Sequence, residues 1–248
     1  MRKPGIYLSP SRQPKNIYAV ESTNEEKEMV AVSEIIRDIL AKEYSYPVHQ
    51  ATLSLDIGKE GRPREAERKE CSIYLAIHSN AGGKGKARGA VALYHPKSEE
   101  SKMLGTYLAE ELNRICPYKS NRAQTLVNGM EAFNGKGYGE IRAPYELGMI
   151  PVLMETNFHD HPDIARWIID HKQEIARAYV KGIARFLSLK PAEEGAEEKK
   201  AVENHKALQE EGDKLYRVQV GAFRKKENAE ILLARLYNEG FDGFIHFS

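Results

Sequence analysis

Ile73-Tyr74-Leu75-Ala76-Ile77-His78-Ser79-Asn80-Ala81-Gly82 is an unbroken apolar run that ends in a polar cluster and a glycine. An apolar run without alternation suits a strand buried on both faces, as parallel strands under helices are. His78, Ser79 and Asn80 then fall at the carboxyl end of that strand, where open α/β sheets carry their sites. Ile150-Pro151-Val152-Leu153-Met154 reads the same way and runs into Glu155-Thr156-Asn157-Phe158. Outward from these two runs, strand-like and helix-like segments alternate. Ile6–Leu8, Tyr46–Leu53 and Gly89–Tyr94 read as strands. Helical periods cover 23–40, 62–69, 99–115 and 163–187, with Leu104, Leu108, Leu112 and Ile115 forming one apolar stripe. Thr23 is placed as the N-cap of the first helix, with Glu26 three residues on in capping-box spacing. The alternation predicts an α/β fold, a mostly parallel sheet flanked by helices.

Composition fits this and narrows function. The chain has 248 residues, 41% hydrophobic and 29% charged, with 37 Lys+Arg against 36 Asp+Glu. A net charge of +1 removes the simplest argument for nucleic-acid binding, which wants a basic surface. No apolar stretch approaches a membrane span, so no membrane insertion is expected. Met1-Arg2-Lys3-Pro4-Gly5 leads directly into a short strand, without the apolar run and cleavage site of a secretory signal. The expectation is synthesis in the cytoplasm and action elsewhere after release. Cys71 and Cys116 cannot make a disulfide framework; they form at most one bridge, and free buried thiols are the preferred reading.

Composition shifts after Leu189. Residues 190–213 are rich in Glu, Lys and Ala and read as a charged linker. Beyond it, Tyr216–Phe223 alternates like a strand, Glu227–Glu239 reads as a helix with Ala229, Leu232, Leu233 and Leu236 inward, and Phe241–Phe247 returns as a strand. The expected division is therefore 1–189, 190–213 and 214–248, the last a single small β-α-β unit.

Taken singly, the polar residues leave alternatives open. His78 is either a site residue or a hydrogen-bonded loop histidine. Glu155 ends a buried strand, so it needs a metal, a salt bridge (Arg142 is a candidate) or a catalytic role. Glu25-Glu26 reads as an acidic first turn that suits the helix dipole. One histidine and carboxylates from separate elements, if they converge, could hold Zn²⁺ with an open position for water and leave a further carboxylate as base.

Together, Leu75–Gly82, Pro151–Phe158 and Glu26-Lys27-Glu28-Met29 resemble, in order, motifs of the zinc-dependent N-acetylmuramoyl-L-alanine amidases, the Amidase_3 family. The resemblance runs from Gly5 to Leu187. It implies a twisted, mostly parallel sheet and hydrolysis of the amide between N-acetylmuramic acid and L-alanine in peptidoglycan. It further implies His78 and Glu26 as zinc ligands and Glu155 as the general base. The family's first zinc histidine follows its first strand. Here that turn is Ser9-Pro10-Ser11-Arg12-Gln13-Pro14-Lys15-Asn16, without histidine. Gln13, through its amide oxygen, is the nearest replacement. His159 and His161 are alternative nitrogen donors, and His49 lies outside the pattern. The Gly- and Asn-rich loop Asn128–Glu140 reads either as a wall of the substrate cleft, with Asn80 and Arg142 positioning the stem peptide, or as a plain connecting loop.

Tyr216–Phe223, Glu227-Asn228-Ala229 and Gly240-Phe241 resemble a SPOR domain, a peptidoglycan-binding module of two β-α-β halves. One half is read here, which implies either a monomer or a dimer formed through this module. The implied role is a phage lysin or sporulation autolysin. The other readings are a wall-binding protein with impaired catalysis and a zinc peptidase acting on the stem peptide.

Overall fold

β3 (Cys71–Asn80) and β6 (Ile150–Phe158) are the neighbouring central strands of a six-stranded sheet. The order is β2-β1-β3-β6-β4-β5, where β1 is Gly5–Pro10, β2 Val48–Gln50, β4 Val91–Tyr94 and β5 Leu126–Asn128. β2, β1, β3 and β6 run parallel. β4 pairs antiparallel with β6 and carries β5 parallel to itself. The sheet is thus mixed, with its parallel half holding both apolar runs. The computed structural model describes residues 5–191 and, further on, Lys226, Ala229, Leu232, Leu233 and Leu236, each helical. The expected strands at 216–223 and 241–247 and the Gly240 cap lie outside the described residues. By its contacts the chain divides into two units, Met1–Glu194 and Gly195–Ser248.

Side-chain alternation sorts the sheet into two unlike faces. Ile6, Leu8, Ile73, Leu75, Ile77, Val152 and Met154 face the larger core. There they meet α1 (Glu25–Tyr44), α3 (Glu99–Ile115), α6 (Pro162–Asp170) and α7 (Lys172–Leu187). Met29, Val32, Leu104, Leu108, Ile164 and Ile175, from those helices, are fully buried in it. Tyr7, Tyr74, Ala76 and Leu153 face the smaller core with Ala66 and Ile141. Those two come from α2 (Arg62–Arg68) and α5 (Gly139–Glu146). The same alternation puts Ser9, His78 and Glu155 on this thinner face, at the carboxyl ends of β1, β3 and β6.

Two local readings are corrected. Asn24, not Thr23, caps α1: its side chain accepts from the Lys27 N–H at 2.9 Å. Thr23 Oγ1 instead donates to Glu28. Asn128–Glu140, read as a loop, starts at the last residue of β5 and holds the short α4 (Ala132–Gly135) and the start of α5.

Candidate active site

Parallel register sets His78 directly beside Glu155. His78 is 6% exposed, and both its ring nitrogens face carboxylates. Nδ1 lies 3.0 Å from Glu25 Oε1, and Nε2 lies 2.9 Å from Glu140 Oε2. Burial alone would discharge the ring, but the hydrogen bonds to Glu140 and Glu25 win and hold its pKa up at about 10. Both partners respond in kind. Burial opposes charge on Glu25 and Glu140, yet His78 and further hydrogen bonds keep both below the usual carboxylate range.

Glu25 is the second arm, and here the expectation shifts by one residue. The cap at Asn24 makes Glu25 the first helical residue, so its side chain turns under the carboxyl end of β3. It also accepts the Ser79 N–H at 3.3 Å and Asn16 Nδ2 at 2.7 Å. Glu25 is 1% exposed, whereas Glu26 is half-buried and is not at His78. The carboxylate that meets His78 is thus Glu25 and not Glu26.

Gln13 does reach the site, but with the other end of its amide. Asn16 Nδ2 donates to Gln13 Oε1 at 2.9 Å, which turns Gln13 Nε2 toward His78 Nδ1 at 3.2 Å. An N–H cannot ligate a cation, so in this orientation Gln13 braces the pair and offers no lone pair. His159 is engaged elsewhere: Nδ1 meets Ser79 Oγ at 2.9 Å and its ring stacks on Tyr18 at 4.8 Å. His161 precedes α6 as its N-cap, and His49 stands on β2 beside Tyr7.

Glu155 contrasts with the other two carboxylates. Its Oε2 is buried with no hydrogen-bond partner. Burial pushes its pKa up to about 7; His78 opposes this and the charges of Glu25 and Glu140 add to it. Arg142 is not its partner, since its Nη1 donates to the Lys136 carbonyl at 2.5 Å and its Nε faces Glu146. Asn80 accepts the Ala81 N–H at 2.7 Å and shapes the turn after β3. Glu140 is the residue that sequence reading missed.

The donor chemistry fits a metal in part. Among the described residues, no group of three or more His, Cys, Asp or Glu is arranged to hold an ion. What exists is a His78–Glu25 edge whose histidine carries a carboxylate on its far nitrogen, the arrangement that orients metal-ligating histidines.

Comparison with known proteins identifies the family. Residues 6–185 match the family of N-acetylmuramoyl-L-alanine amidases. The chain belongs to that family, and it is a peptidoglycan amidase. A SPOR domain matches residues 195–247, beginning inside the stretch read as a linker. CwlM, an N-acetylmuramoyl-L-alanine amidase of Bacillus licheniformis, is 24% identical over 246 residues, covering 97% of this chain and 83% of its own. The germination-specific N-acetylmuramoyl-L-alanine amidase of Bacillus subtilis is 23% identical over 202 residues, covering 75% of this chain and 80% of its own. In fold, the N-acetylmuramoyl-L-alanine amidase of Clostridium difficile 630 superposes with a TM-score of 0.62 at 17% identity, covering 76% of this chain and 98% of that one.

Proposed function

We propose that the chain hydrolyses the amide joining the lactyl group of N-acetylmuramic acid to L-alanine, with His78 and Glu25 holding a zinc ion and Glu155 moving the proton. The observation that carries this is the pairing, at the end of one parallel register, of a clamped His78–Glu25 edge with a carboxylate whose Oε2 has no partner. Zinc bound at that edge would acidify a water and polarise the scissile carbonyl. Glu155 Oε2 accepts the proton of the attacking water and returns it to the amine nitrogen of L-alanine as that leaves. A pKa near 7 suits both halves of that transfer. Asn16 and Gln13 hold Glu25 in place from the turn where the family carries a histidine. The SPOR-like unit tethers the enzyme to glycan strands. An autolysin of sporulation or germination is the favoured setting, supported by the germination-specific relative.

Zinc titration of the metal-depleted chain by calorimetry tests the ligand assignment. Glu25→Ala is expected to abolish measurable binding and Glu26→Ala to leave it unchanged. The reverse pattern would restore Glu26, and equal loss in Gln13→Ala and Glu25→Ala would return Gln13 to the ligand set.

A further inference from the structure

Glu140, in the first turn of α5, is 2% exposed, and both its oxygens are committed. Oε2 takes His78 Nε2, while Oε1 accepts the Ser9 hydroxyl at 2.6 Å and the Tyr74 hydroxyl at 3.0 Å. Ser9 Oγ in turn accepts from Arg62 Nη1 at 3.1 Å, and the same Nη1 donates to the Pro10 carbonyl at 2.6 Å. Arg62 gives to Ser9, Ser9 gives to Glu140, and the Tyr74 hydroxyl lies 3.0 Å from both Ser9 Oγ and Glu140 Oε1, so it donates to either. Arg62 itself is 1% exposed. A carboxylate buried without such donors would be costly. Here β1, β3 and α2 all supply groups that fix one carboxylate opposite one ring nitrogen.

We infer that Glu140 is the positioning residue of the amidase site: it holds the His78 ring with Nε2–H toward itself and Nδ1 toward Glu25, and Ser9, Tyr74 and Arg62 keep it there. A carboxylate on the far nitrogen of a ligating histidine fixes the ring's orientation and tautomer. The link to metal affinity rests on the zinc reading above, whereas the ring orientation does not.

The experiment uses the full chain, ¹⁵N-labelled and metal-depleted. It records the one-bond ¹H–¹⁵N resonance of His78 Nε2–H, assigned by its loss in His78→Ala, and then zinc affinity by calorimetry. The wild-type resonance should be protected from solvent exchange. Glu140→Ala should lose it and bind zinc roughly 10- to 100-fold more weakly. Glu140→Gln keeps an acceptor, because Ser9 can turn to accept its amide N–H. It should retain the resonance and recover part of the affinity. Thermal melts establish that the variants are folded. Should Glu140→Ala not fold, Ser9→Ala, which removes one brace, is expected to speed exchange of the same proton. An unprotected wild-type Nε2–H, or a resonance unchanged in Glu140→Ala and Ser9→Ala, would overturn the assignment. A wild-type chain that binds no zinc would overturn the zinc reading, and the resonance would then decide the role of Glu140 alone.

Discussion

Glu155 carries a charge that the metal-free fold disfavours. Its carboxyl titrates near 7 in the folded chain against an ordinary 4.5. The folded state therefore holds a proton that the unfolded chain has lost between those values, and stability falls as pH rises through that window. Metal-free Glu155→Gln is expected to melt higher than wild type above pH 7, by a stability difference of about 3 kcal/mol. Below about pH 4.5 the gain should vanish. A variant less stable at pH 8 would mean that Oε2 has a partner after all. His78 and Glu155 were legible in the sequence because each ends an apolar run, a pattern that needs no knowledge of the fold. Glu26 was expected from the resemblance, whereas Glu25 is the carboxylate that meets His78; two adjacent glutamates in one helical first turn carry no sequence signal that tells them apart. Glu140 gave no local signal: its partners Ser9 and His78 lie 131 and 62 residues away, and a glutamate in a first helical turn is ordinary.

At the scale of elements, α2 is a short helix that does more than cover the sheet. Its first residue, Arg62, reaches under β1 to Ser9 and the Pro10 carbonyl and leaves little of itself in solvent. Arg62→Met keeps most of the bulk but removes the donors, leaving buried acceptors unpaired. The expected cost is roughly 2–4 kcal/mol, read as a lowered midpoint in urea. A midpoint within error of wild type would show that water replaces the guanidinium. The long amphipathic helices and central strands were legible from period and from runs. β5 and α5 were not. β5 is a short edge strand, and α5 follows a Gly- and Asn-rich stretch and carries Pro144, so composition outweighed a weak period there.

For the whole molecule, the direction of the strands explains where chemistry gathers. β1, β3 and β6 run parallel and end together, so Ser9, His78 and Glu155 meet on one face while the opposite face is filled by four helices. α1 delivers Glu25 and α5 delivers Glu140 to the same point. With a net charge of +1 the chain has little long-range pull toward an anionic wall, so binding falls to specific contacts. The most direct test of the account is the identity of the ends released from purified peptidoglycan by the full chain. Free N-terminal L-alanine should accumulate beside muramic acid with its lactyl group intact. Chelator should stop the reaction, and Glu155→Gln should slow it by about 10²- to 10⁴-fold. New amino ends within the stem peptide, or binding of the wall with no release at all, would contradict it.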